Sequence, residues 1–139
     1  MFKKILVPTD LTEKSEKAFE IALSMAADYE STITLLHVIE MIKNAEEEEF
    51  SDFYAKLRQR AHKEIGKLKD KFKTEDLQIK KEVLVGRRVP EIIRFANDKE
   101  IDLIVLSSHR IEDFSSGVGW ATISYKVAIL AECPVMMVK

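Results

Sequence analysis

Lys4-Ile5-Leu6-Val7-Pro8-Thr9-Asp10 sets three apolar residues in succession, two of them β-branched, directly before a proline and two short polar side chains. A strand that buries one face alternates apolar with polar. A run without alternation is buried on both faces, as in a parallel sheet covered by helices. Residues 33–36, 83–85, 101–106 and 135–138 have the same character, which makes up to five strands. Between the first two runs, Ala18, Ala22, Met25, Ala26 and Tyr29 recur at three- and four-residue steps, and Thr12 stands where an N-cap satisfies free amides. Phe50, Tyr54, Leu57, Ala61, Ile65, Leu68 and Phe72 repeat that period in a longer helix. Pro90 is read as opening a third helix with Ile92, Ile93 and Ala96, and a fourth runs from about residue 119 to 130. Strand and helix alternate throughout, so right-handed crossovers build a five-stranded, mainly parallel, doubly wound α/β sheet with helices on both faces.

At 139 residues the chain has the length of one ordinary domain, expected to cover residues 1–139. Its 22 basic and 24 acidic residues give a net charge of -2, which supplies no pull toward nucleic acid or an anionic membrane. Cys133 is the single cysteine, so no intramolecular disulfide forms, and no stretch reads as a signal peptide or membrane span. A cytoplasmic protein is expected.

In an open parallel sheet, ligands bind beyond the carboxyl ends of the strands, where the strand order reverses. If the first strand is central and the chain winds outward on one side before returning to the other, that point lies between strands one and four. Their ends carry Pro8, Thr9 and Asp10, and Ser107, Ser108, His109 and Arg110. Two of the four glycines, Gly117 and Gly119, fall just ahead of the last helix, where close backbone approach and free amides suit a phosphate. A flexible turn capped by Ser or Thr accounts for them without a ligand, and this segment alone favours that reading. Asp10 likewise suits either a ligand or its own following turn. Glu46, Glu47, Glu48 and Glu49 read as a solvated run favouring the next helix start, and four consecutive glutamates point in too many directions for a metal shell. His37, His62 and His109 have no metal-pair spacing, and no Gly-x-Ser-x-Gly surrounds Ser107 or Ser108. No catalytic or metal residues are therefore assigned. Cys133 reads as a small buried hydrophobe and Trp120 as core cover.

The ordered set of local patterns resembles the universal stress protein (UspA-like) family. It comprises residues 4–10 followed by Thr12 and Ser15, then Leu35-Leu36-His37-Val38, Val85-Gly86, Pro90-Glu91-Ile92-Ile93, Asp102-Leu103-Ile104-Val105-Leu106 and Cys133-Pro134-Val135. The resemblance implies a Rossmann-like sheet of the adenine nucleotide alpha hydrolase type, a homodimer and, in one branch, ATP between strands one and four. In that branch Asp10 and Val38 match positions holding the adenosine, one by carboxylate and one by main chain. The phosphates lie on a Gly-x-x-Gly-x9-Gly-Ser/Thr loop. Aligned on Cys133-Pro134, that loop here has Ser107 and Arg110 at the first two glycines and Ala121-Thr122 at the Gly-Ser/Thr pair, with one extra residue between. A β-carbon at those places reshapes the cradle, while Arg110, Gly117, Gly119 and Thr122 keep donors near it.

Two functions follow. In one, a regulatory homodimer acts in the stress response mainly through contacts with a protein partner, its adenine nucleotide site degenerate. In the other, ATP or AMP, with Mg if a triphosphate is bound, sits across Asp10, Val38 and the rearranged 107–122 loop. The altered glycines lean toward the first. Any reaction is expected to be slow ATP hydrolysis at most. The terminal strand, Val135, Met136, Met137 and Val138, is expected at the sheet edge, where unpaired main-chain groups can join a second copy.

Overall fold

The computed structural model describes residues 1–42, 47–72, 74–108 and 122–139. Five strands form one sheet: β1 (Lys4–Pro8), β2 (Thr32–Glu40), β3 (Gln78–Gly86), β4 (Leu103–Ser107) and β5 (Val135–Val138). Their order is β3-β2-β1-β4-β5, and each neighbouring pair is parallel. The helices are α1 (Glu13–Tyr29), α2 (Ser51–Lys71), α3 (Arg88–Asp98) and α4 (Ile123–Leu130), with a 3-10 turn at Glu47–Phe50.

Period two along the strands sorts the core into two layers. Ile5, Val7, Ile33, Leu35, Leu103 and Val105 face one way and pack with Ala18, Phe19, Ala22 and Ala26 of α1 and Ile65 and Leu68 of α2. Leu6, Leu36, Val38, Ile104 and Leu106 face the other way, against Ile92 and Ala96 of α3 and Val127 of α4. Every apolar residue of β1 is thus enclosed, which accounts for its unbroken apolar reading. The alanines of α1 let the helix approach the sheet closely, and Phe19 meets Phe72 edge to face at 5.5 Å.

Three local expectations are corrected. Thr12 does occupy the N-cap of α1, but its side chain accepts no capping bond and is turned to donate its hydroxyl to Asp10 Oδ1 at 2.6 Å. Pro90 is the third residue of α3, not its opener; a proline is harmless there because first-turn amides have no intrahelical acceptor. β3 begins at Gln78, well before the apolar run at residue 83, since an edge strand tolerates the charged Lys80, Lys81 and Glu82. Both α1 and α3 are followed by a glutamate in the left-handed region, Glu30 at φ 53° and Glu100 at φ 54°. Among the described residues no helix is long and apolar enough to cross a membrane.

Candidate functional site

With β1 central, the chain winds outward through β2 and β3, then returns to place β4 on the other side of β1. The β1 and β4 crossovers leave in opposite directions, which opens a cleft above their carboxyl ends. The cleft, of about 140 Å³, is lined by residues of both halves: Pro8, Thr9 and Asp10 beyond β1, Ser15 of α1, and Leu36 and Val38 of β2. Arg88 and Ile92 of α3, Leu106 and Ser107 of β4, and Ile123 and Ser124 of α4 close it.

A chain of hydroxyls sets the β1 side. The Leu11 N–H donates to Thr9 Oγ1 at 3.0 Å, and Thr9 Oγ1 lies 2.8 Å from Ser15 Oγ. Ser15 Oγ donates to the Thr12 carbonyl at 2.7 Å, so the single proton between the two hydroxyls comes from Thr9. Leu11 sits at φ 66°, a left-handed conformation that a branched side chain rarely adopts and that this network holds. His37 Nδ1 lies 2.8 Å from the Thr9 carbonyl. A carbonyl only accepts, so Nδ1 carries the proton and His37 ties β2 to the same loop.

Asp10 closes an Asx turn: its Oδ1 accepts the Thr12 N–H at 3.0 Å as well as the Thr12 hydroxyl. Partial burial acts to raise its pKa, but hydrogen bonds from the Thr12 hydroxyl and N–H and its own N–H outweigh that. The carboxyl therefore rests below its ordinary range and is anionic at neutral pH. Both Thr12 bonds fall on Oδ1, and Asp10 lines the cleft.

Val38 contributes through its backbone. In a strand, residues two apart direct their main-chain groups to the same side. The Leu36 carbonyl already receives the Thr9 N–H at 2.8 Å, on the β1 side. The Val38 N–H and carbonyl point the same way, but the β1 ladder stops at the Pro8–Leu36 pair. They form a donor and acceptor pair at the open edge of the cleft.

Of the residues singled out from the sequence, Pro8, Thr9, Asp10, Val38 and Ser107 meet in the cleft. Ser107 Oγ donates to the Lys14 carbonyl at 2.7 Å, joining β4 to the first turn of α1. Ser108 is buried and lies behind the cleft, accepting from Ser124 Oγ at 3.0 Å. Thr122 Oγ1 is 3.3 Å from Ser124 Oγ, and because Ser124 gives its proton to Ser108, Thr122 is the donor. This row continues to Tyr125, whose pKa is lowered chiefly by the Lys139 ammonium donating at 2.8 Å; desolvation opposes this and a hydrogen bond with Ser108 adds to it. His109, Arg110, Gly117, Gly119, Trp120 and Ala121, with the start expected for the last helix, lie outside the described residues. So does Glu46; Glu47, Glu48 and Glu49 fall in the 3-10 turn.

Arg88, Ile92, Ile123 and Ser124 were not legible as site residues. Arg88 left one trace, a basic pair directly after Gly86 at a strand end. His62 is exposed on α2, and Cys133 is half-buried against the α3 and α4 layer, where burial pushes its thiol up. Among the described residues no group of three His, Cys, Asp or Glu gathers as a metal site.

The sequence model of the Universal stress protein family matches residues 1–139. The universal stress protein YxiE of Bacillus subtilis (strain 168) is 26% identical over 149 residues, covering 100% of both chains. The solved structure of MJ0577 from Methanocaldococcus jannaschii gives a TM-score of 0.83 at 28% identity, over 100% of this chain and 96% of that one. A universal stress protein solved in complex with cAMP gives 0.70 at 20% identity over 99% and 97%, a likeness of fold alone.

Proposed function

The chain belongs to the universal stress protein family, and from that premise we propose that it is a nucleotide-responsive module seating an adenine nucleotide in the cleft between β1 and β4. The observation that carries this reading is the pairing of an anionic Asp10 with the open Val38 main chain across one cleft. A ribose offers hydroxyl donors to the carboxylate, and an adenine edge offers a donor and an acceptor side by side to Val38. Leu36, Ile92 and Leu106 supply apolar cover. ATP or AMP meets these requirements, with magnesium accompanying a triphosphate as its counter-ion. Ligand binding then changes the surface offered to a protein partner in stress signalling.

The test is mass spectrometry of the purified, denatured protein for co-purified adenine nucleotide, followed by calorimetry with adenosine, AMP and ATP with magnesium. Heat with micromolar affinity is expected. No co-purified nucleotide together with no heat from any ligand would sink the reading.

A second reading, a homodimer acting through protein contacts with no nucleotide, is favoured by the other side of the sheet. β5 is an edge strand with Met136 38% exposed, and Ile129 and Leu130 of α4 are 79% and 57% exposed. Pairing of β5 edges would cover unpaired main chain and apolar side chains together. Sedimentation of the protein beside Met136→Lys tests it: a dimer that dissociates on substitution supports edge pairing, and an unchanged dimer places the interface elsewhere.

A further inference from the structure

Resting on the nucleotide reading above, we propose that Arg88 caps the bound base, its guanidinium held by Glu40 across the α3 end of the cleft. Arg88 is the sole cation among the described residues that line the cleft. Its Nε lies 3.5 Å from Glu40 Oε2, and its backbone N–H donates to the same oxygen at 3.3 Å. The side-chain contact is by Nε and the other is by main chain, so Glu40 meets the edge of the guanidinium and leaves its planar face clear.

Two periodicities place that plane beside the base. Glu40 is two residues beyond Val38 on β2, so their side chains share the α3 face of the sheet. Ile92 is four residues beyond Arg88 on α3, so these two share a helix face, and both line the cleft. A flat heterocycle that pairs its edge with the Val38 main chain therefore has Ile92 and Arg88 against its ring face. A phosphate suits the other end of the cleft, at β4, two strand spacings or about 10 Å from β2. There Ser107 and Ser124 make the lining polar, whereas the α3 end offers Leu36, Val38 and Ile92. A guanidinium over an electron-rich ring gains by cation–π attraction and stacking, for which a lysine lacks the plane. The Arg88 and Glu40 side chains are 45% and 51% exposed, so their pair adds little to folding and its loss reads out in binding.

The experiment is calorimetric titration of adenosine, AMP and ATP with magnesium into the unaltered protein, Arg88→Ala, Arg88→Lys and Glu40→Gln, with thermal unfolding of each to show that it folds. Arg88→Ala should weaken all three ligands by one common factor, about tenfold. Arg88→Lys should recover little of it, and Glu40→Gln should lose roughly twofold to threefold by freeing the side chain. A loss that grows from adenosine to ATP overturns the proposal, because Arg88 then holds phosphate. Unchanged affinity in Arg88→Ala overturns it while leaving the nucleotide reading intact. No binding by the unaltered protein overturns both.

Discussion

β1 and β3 belong to one sheet and end on the same side of it, yet they obey different rules. β1 is central, and Ile5, Leu6 and Val7 are each 0% exposed between two helical layers. β3 is an edge strand, and no residue before its terminal Gly86 is fully buried. The central strand must be apolar on both faces, so its limits and its polar end are conspicuous. The edge strand needs only its ladder to β2, so charge can occupy it. The same contrast runs into the loops: Asp10 follows β1 as the first charged residue after an apolar run, whereas Arg88 follows β3 amid other charges.

The most forceful way to test this contrast is to remove volume from the centre. Leu6→Ala should lower stability by about 3 kcal/mol, measured by urea unfolding, since a sealed site cannot collapse around the cavity. A loss below about 1 kcal/mol would show that β1 is not enclosed as described.

The end of β3 should be the next most sensitive place. A β-carbon added at Gly86 would stand 2.7 Å from Glu91 Cγ, on a side chain that pairs with Arg94. Gly86→Ala is expected to lose roughly 1–2 kcal/mol. Glu91→Ala in the same chain should return most of that loss, and a double-mutant cycle with no coupling would refute the contact.

At the end of β1, Asp10→Asn should lose about 1 kcal/mol at neutral pH, comparable to the loss of a cap. The sign with pH follows from the depressed carboxyl. A group ionised more readily when folded stabilises above its unfolded pKa of about 4, and that contribution disappears as pH falls through the lower folded value. Stability curves of the two proteins should therefore converge below pH 4. Curves that stay parallel would remove Asp10 from the acid response.

Smaller effects are expected where the sequence departs from what its backbone prefers. Glu30→Gly relieves a left-handed glutamate after α1 and should add about 0.5 kcal/mol, part of the relief being offset by the freer unfolded chain. Lys80→Ala on β3 should change stability by less than about 0.5 kcal/mol. A large effect there would break the distinction between centre and edge.

The fold was legible because its evidence is local and repeated. Five apolar runs and four helical periods admit few arrangements once crossovers are right-handed. The ends of the elements were less so: the Thr12 hydroxyl is turned toward Asp10 and accepts no N–H of α1, and the rotamer that decides this depends on where the β1 loop places Asp10. In the site, Asp10, Thr9 and Ser107 were found as polar residues following apolar strands. Arg88 and Ile92 were not, since a wall supplied by α3 depends on how that helix crosses the sheet.

By itself, then, the sequence determined the alternation of strands and helices, the polar crest at the end of β1 and, through its ordered motifs, the family. Those features depend on residues near one another in the chain, where hydrophobic period and turn chemistry act directly. The tertiary structure alone decided that Val38 presents open main-chain groups, that Thr9, Ser15 and His37 share one network, and that Arg88 reaches the cleft from α3. Each of these depends on where a neighbouring strand stops or a distant helix lands, and that is set by the packing of the whole sheet.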